Sequence, residues 1–169
     1  RMGAPWFQIR HLEKEAGLVA LSANFALYGD MSDRMMSLVA GLGHTQEIYS
    51  IDESFVGLSS IRGDLIRRSH LIRQRVLQWT GIPTCVGIGP TKTLAKLANH
   101  IAKTAERKPG VYPEHIAGHG TDGSLAQVCH LGLLTPADRQ TLFERTEVGE
   151  VWGVGRRLGK QPVGRESGG

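Results

Sequence analysis

Between Asn24 and Ala40 the apolar residues Leu27, Met31, Met35 and Leu38, continued by Leu42, recur at three- and four-residue intervals. That period predicts a helix with one buried face, which Gly41-Leu42-Gly43 interrupts. Methionine on such a face serves as core filler rather than as a ligand set. A second helix is predicted after Asp64, a natural N-cap, with Leu65, Ser69, Ile72, Val76 and Trp79 on one side and Gly81 and Pro83 closing it. A third begins at Pro90-Thr91 and covers Lys92 to Lys103, with Leu94, Leu97, Ala98 and Ile101 as its apolar stripe. Shorter helical patterns occupy Pro5 to Ala16, Leu125 to Leu131, and the stretch after Thr135-Pro136-Ala137-Asp138, which carries an N-cap and a first-turn proline.

Strand-like runs lie between the helices. Leu18 to Leu21 is a brief strand or extended connection. Ile48 to Ile51 and Ser54 to Leu58 read as two arms of a hairpin, Thr84 to Gly89 as a strand, and Gly110-Val111-Tyr112 as a further one. From Asn24 onward the order is helix, strand, strand, helix, strand, helix. This predicts an α+β fold, most of a split β-α-β (ferredoxin-like) arrangement with helices on one face of an antiparallel or mixed sheet, its opening strand missing. Pro113 to Gly123 is polar and glycine-rich and reads as a linker or surface loop.

The 169 residues suffice for one core and the start of a second domain, and the chain opens on Arg1, as a fragment or processed product would. A hydrophobic share of 40% supports a folded globular chain, and the net charge of +4 favours an anionic partner. Arg67, Arg68, Arg73 and Arg75 fall on the polar side of the second helix and read as a solvated basic face, with a direct phosphate contact as the alternative. Two cysteines, Cys85 and Cys129, form neither a disulfide framework nor a zinc signature, so a reducing, cytoplasmic setting is expected. No apolar run approaches the roughly 20 residues a membrane helix needs.

The chemistry concentrates at Asp52-Glu53, two acids inside a run of strand-forming residues. Within one regular strand they would point to opposite faces. At a hairpin tip both can face one spot and suit a hard divalent cation such as Mg²⁺, which takes one or two carboxylates together with water and substrate phosphates. A solvated turn is the plainer alternative. His115 and His119, with Cys129-His130, have zinc-like spacing, but the glycines between them favour a loop. Gly89-Pro90-Thr91-Lys92-Thr93 after a strand suggests a P-loop ATPase, yet Thr91 stands where that loop needs glycine, and the acidic strand comes first. Gly153-Val154-Gly155 can offer backbone N–H groups to a phosphate.

Three motifs, Tyr49-Ser50-Ile51-Asp52-Glu53-Ser54-Phe55, Val86 through His100, and Val151-Trp152-Gly153-Val154-Gly155-Arg156-Arg157, together with Ser22 through Ser32, resemble the Y-family translesion DNA polymerases of the UmuC type. The resemblance runs from Arg1 to about Lys160. It implies that residues 1–23 end a fingers domain, 24–112 form the palm, 113–160 begin a thumb with a helix-hairpin-helix turn, and 161–169 are an aberrant tail. It further implies template-directed nucleotidyl transfer past damaged DNA, in DNA repair and the SOS response, by a two-Mg²⁺ mechanism. Asp52 and Glu53 would be metal-binding and catalytic, Lys103 would contact the triphosphate, and Gly153, Gly155, Lys92 and Lys96 would meet DNA. Primer-template DNA and deoxynucleoside triphosphates are the implied partners, with accessory subunits and a sliding clamp for a full-length protein. The family's first metal-binding aspartate would precede Arg1, so the chain is expected to polymerise poorly; a non-catalytic DNA- or partner-binding fragment is the alternative.

Overall fold

The computed structural model describes residues 3–117 and 127–154. At the N-terminal end the single helix expected over Pro5 to Ala16 is two separate turns, α1 (Trp6–Ile9) and α2 (Leu12–Glu15), neither with a side-chain cap nor a buried residue. Leu18 to Leu21 takes no regular structure, and Phe7, Val19 and Leu21 face solvent. Turns this short gain too few hydrogen bonds to persist without packing, which these residues do not receive.

α3 (Phe25–Val39) begins where Asn24 accepts a hydrogen bond from the Leu27 amide at 3.1 Å. Only its C-terminal half is packed. Met35 and Met36 are buried with Val76, beside Leu38, Val39 and Ile72, whereas Leu27 is exposed. β1 (Thr45–Ile48) and β2 (Ser54–Gly57) form an antiparallel hairpin, paired from Thr45↔Gly57 to Ile48↔Ser54; its first arm lies before the expected Ile48 to Ile51, because Tyr49 to Asp52 are taken into the turn. α4 (Leu65–Thr80) is capped by Asp64, which accepts from the Arg67 amide at 2.9 Å, and ends at Gly81 in the left-handed conformation (φ 73°). Trp79, expected on its buried face, is exposed.

β3 (Val86–Ile88) leads into α5 (Lys92–Arg107), whose cap Thr91 accepts from the Leu94 amide at 3.2 Å. Helix and strand approach so closely that a Cβ on Gly87 would lie 2.1 Å from the Asn99 backbone nitrogen. Leu97, Ala98, Ile101 and Ala102 of α5 open the larger core, completed by Tyr112, Ile116, Cys129, Leu131, Leu134 and Leu142. Ile116 comes from α6 (Glu114–Ala117) and Leu142 from α7 (Pro136–Glu144), which starts at the N-cap and first-turn proline read from the sequence: Thr135 Oγ1 accepts from the Asp138 amide at 3.1 Å and donates to its carboxylate at 2.7 Å.

Two expectations fail here for one reason. Gly110 to Tyr112 is a turn rather than a strand, with Gly110 at φ 87° and Tyr112 sunk in the core. The strand that pairs with β3 is β4 (Val128–His130), parallel from Val86↔Val128 to Ile88↔His130, inside the stretch expected to be helical. Val128, Cys129 and Leu131 are all buried, and a strand buried on both faces shows the same continuous apolar run as a buried helical turn. The expected single sheet is accordingly two pairs among the described residues, β1-β2 and β3-β4. Helices and short sheets together retain the α+β class. No described helix is long and apolar enough to cross a membrane.

Candidate active site

The hairpin tip is shaped by its own backbone and fastened to α3. The Glu53 carbonyl accepts from the amides of Tyr49 and Ser50, both at 3.0 Å, which folds Ile51 and Asp52 into the turn. Ser50 Oγ donates to Asp52 Oδ1 at 2.6 Å, and Ser32 of α3 donates to the Ile51 carbonyl. Lower down, Gln46 Nε2 reaches the Met36 carbonyl at 2.9 Å and Ser54 Oγ at 3.2 Å. Alternation along a strand is thereby broken where the two acids stand, and Asp52 and Glu53 line one cleft of 390 Å³.

That cleft separates the two sheet pieces, since Ser54 to Val56 of β2 and Val86 to Ile88 of β3 both line it while sharing no ladder. α5 contributes Lys96 and Lys103 to the lining. Lys96 Nζ lies 2.9 Å from Glu53 Oε2, and the two side chains are only 23% and 32% exposed. The same ammonium sits 4.4 Å from the centre of the Tyr49 ring and 5.6 Å from that of Trp152. Trp152 Nε1 donates to the Tyr49 hydroxyl at 3.1 Å, and its ring meets Tyr49 edge-on at 5.4 Å. Lys92 forms an exposed ion pair with Glu47 and lies over Phe55.

Of the residues singled out from the sequence, Asp52, Glu53, Lys96 and Lys103 come to one cleft, while Lys92 pairs with Glu47 outside it; the aromatic group went unread. Tyr49 and Phe55 flank the acids and could have been noticed; Trp152, 103 residues away from Tyr49, carried no local signal. Arg73 departs from the expected solvated face: its Nε donates to the Thr84 carbonyl, and burial lowers its pKa. Gly153 sits in the left-handed region at φ 86°, and Gly155 lies outside the described residues.

The zinc reading finds no cluster among the described residues. Cys129 is in the core, its thiol pushed up to about 12 by burial; His130 Nδ1 accepts from the Gly132 amide at 3.1 Å; His115 faces Asp138; His119 lies outside the described residues. Among the described residues no three of His, Cys, Asp and Glu gather to hold an ion. Asp30, which pairs with Arg34 at 2.8 Å, and Glu47 with its lysine are not drawn to the tip as a third acid.

Residues 1–100 match the model of the impB/mucB/samB family. The chain belongs to that family. Its relatives include the UmuC and ImpB proteins of Salmonella typhimurium, 40% and 37% identical, each aligned over 94% of this chain and 34% of its own length. DNA polymerase IV of Corynebacterium diphtheriae is 28% identical over 97% of the chain and 33% of its length. This impB/mucB/samB chain thus spans about a third of the length of these relatives. Its fold is similar to that of Dbh DNA polymerase, in a structure described as an insertion ternary complex, with a TM-score of 0.64 at 21% identity over 94% of this chain and 40% of that one. DinB from Sulfolobus solfataricus gives a TM-score of 0.60 at 20% identity, over 90% and 39%. The resemblance drawn from the three motifs is borne out at the level of family and fold.

Proposed function

We propose that this chain supplies the acidic hairpin and the lysine-bearing helix of a translesion DNA polymerase, the parts that hold the incoming nucleotide during template-directed synthesis across damaged DNA. One observation carries the reading: in a member of this family, Asp52, Glu53 and Lys103 line the same cleft. The fold division that accompanies it is 1–23 as the end of fingers, 24–112 as palm, 113–160 as partial thumb and 161–169 as tail, with β4 joining β3 in the palm sheet although it lies in the thumb segment.

The donor set suits Mg²⁺. Two adjacent carboxylates at an exposed tip offer hard oxygen ligands and leave room for water and phosphate oxygens, as this ion prefers. When bound, paired Mg²⁺ ions stabilise attacking and leaving oxygens in phosphoryl transfer. The chain's own contributions are positional. Ser50 orients the Asp52 carboxylate, Ser32 and Gln46 hold the hairpin against α3, and Lys103 offers an ammonium to the triphosphate from the opposite wall. With two acids at the tip rather than three, the described residues form a partial cation site, and loss of one group from a cooperative site commonly removes orders of magnitude in rate.

Primer extension with Mg²⁺, four nucleotides, and undamaged or abasic templates tests the reading, beside Asp52→Ala. Slow incorporation that vanishes in the variant supports it. Incorporation indifferent to Asp52 refutes it. Among the described residues no third acid joins Asp52 and Glu53, which favours a second reading, a DNA-binding fragment without chemistry; salt-sensitive DNA affinity with no incorporation identifies it. A P-loop ATPase is disfavoured by the fold, because Asp52-Glu53 sits on an antiparallel hairpin that does not pair with β3, and Lys92 is taken up by Glu47. DNA, deoxynucleoside triphosphates, accessory subunits and a clamp remain the proposed partners, in the cytoplasm.

A further inference from the structure

We propose that Lys96 is a resident counterion of the acidic hairpin: its ammonium, seated on the rings of Tyr49 and Trp152, occupies a cation position against Glu53 and yields that carboxylate to a divalent cation. The inference rests on the reading of Asp52 and Glu53 as a cation site and says how that site is held before the ion arrives.

Three observations converge on one nitrogen. Lys96 Nζ is 2.9 Å from Glu53 Oε2 in a pair mostly withdrawn from solvent, whereas the neighbouring Lys92–Glu47 pair, 50% and 60% exposed, is open to water. Exposed pairs are heavily screened, so the Lys96 pair is the stronger of the two. The ammonium also lies within cation–π range of Tyr49 and Trp152, so release from Glu53 does not leave it without a partner. Finally, Trp152 donates to the Tyr49 hydroxyl, which fixes the second ring beside the first. Adjacent acids repel one another, and a lysine held between Glu53 and two rings offsets that repulsion until a stronger cation competes for the same oxygens. Lys96 is thus a positioning residue whose charge is set against the ion.

Mn²⁺ binding, read by the loss of the free-ion paramagnetic resonance signal, separates the outcomes in the full chain, its Lys96→Met and Lys96→Arg variants, and an Asp52→Asn, Glu53→Gln double variant. A chain with Trp6 and Trp79 changed to Phe reports Trp152 emission alone. Removing the competing ammonium should tighten Mn²⁺ binding roughly two- to fivefold in Lys96→Met, the size of a partly screened ion pair. Lys96→Arg should bind as the unaltered chain does. Trp152 emission should change on Mn²⁺ addition with the same midpoint as binding, and should lose that response in Lys96→Met. Equal or weaker binding in Lys96→Met, with binding still abolished by the double variant, overturns the counterion and leaves the carboxylate site standing. Absence of Mn²⁺ binding in every protein, or binding that survives the double variant, overturns both.

Discussion

Gly87→Ala is the most demanding single test of how α5 is seated. An added Cβ would lie 2.1 Å from the Asn99 nitrogen, 2.3 Å from the Ala95 carbonyl oxygen and 2.7 Å from the Asn99 Cα, all backbone atoms of one helix. No rotamer relieves that overlap, so α5 must move away from β3 by about 1 Å, and overpacking of this kind costs about 1–3 kcal/mol. The upper end applies here. The face that would lift carries Leu97, Ala98, Ile101 and Ala102, all in the larger core. A loss of about 3 kcal/mol corresponds to a fall of about 10 °C in melting temperature for a chain of this size. Gly29→Ala is the matched control: within the interior of α3 its Cβ meets nothing within 4 Å, so it should be neutral or more stable by about 0.5–1 kcal/mol. Urea unfolding followed by far-ultraviolet circular dichroism measures both. A Gly87→Ala chain within about 0.5 kcal/mol of the unaltered one would refute the close seating of helix on strand, and with it the placement of Lys96 and Lys103 opposite the hairpin.

Three further outcomes follow from the core. Leu142→Ala, at a fully buried position between α7 and the rest of the larger cluster, should lower unfolding free energy by about 2–5 kcal/mol in the same assay. Burial lowers the His130 pKa below 6.5, so the folded state disfavours its protonation; that contribution is intact above about pH 6.5 and is lost as pH falls toward the folded value, giving an acid-side decline that His130→Gln should flatten. Iodoacetamide should alkylate Cys85 before Cys129, as read by mass spectrometry. Burial and Glu106 raise the Cys85 thiol, but burial pushes Cys129 up to about 12 in the sealed core, where it should react only on unfolding.

Much of this architecture was legible because local signals and tertiary packing agreed. Asn24, Asp64, Thr91 and Thr135 each cap the helix predicted for them, and Gly81 ends α4 as read. The acids fall at a hairpin tip, where chain geometry can turn both to one side. The misreadings arose where burial overrides pattern. Val128 to Leu131 lacks an alternating polar face because β4 is covered on both sides, and its parallel partner lies more than 40 residues earlier in the chain. Arg73 shares a helix with exposed arginines and was grouped with them, yet the carbonyl that claims it belongs to the segment after the helix. Likewise nothing near Trp152 in sequence announces Tyr49. Contacts made at long separation are set by the fold, and a single chain's local periodicity does not encode them.

The two hydrophobic clusters also imply an order of opening. The larger cluster holds ten buried residues, four of them on α5, while the cluster between α3 and α4 holds three, Met35, Met36 and Val76. Cooperative units with fewer buried contacts exchange their amide hydrogens through smaller openings. Ser32 and Gln46 fasten the carboxylate-bearing tip to α3, in the weaker unit, whereas Lys96 and Lys103 ride on α5, in the stronger one. Amides of α3 and the hairpin should therefore exchange well before those of α5. On mild denaturation the acids would part from the lysines while α5 still stands, so residual helical circular dichroism would not certify an assembled site.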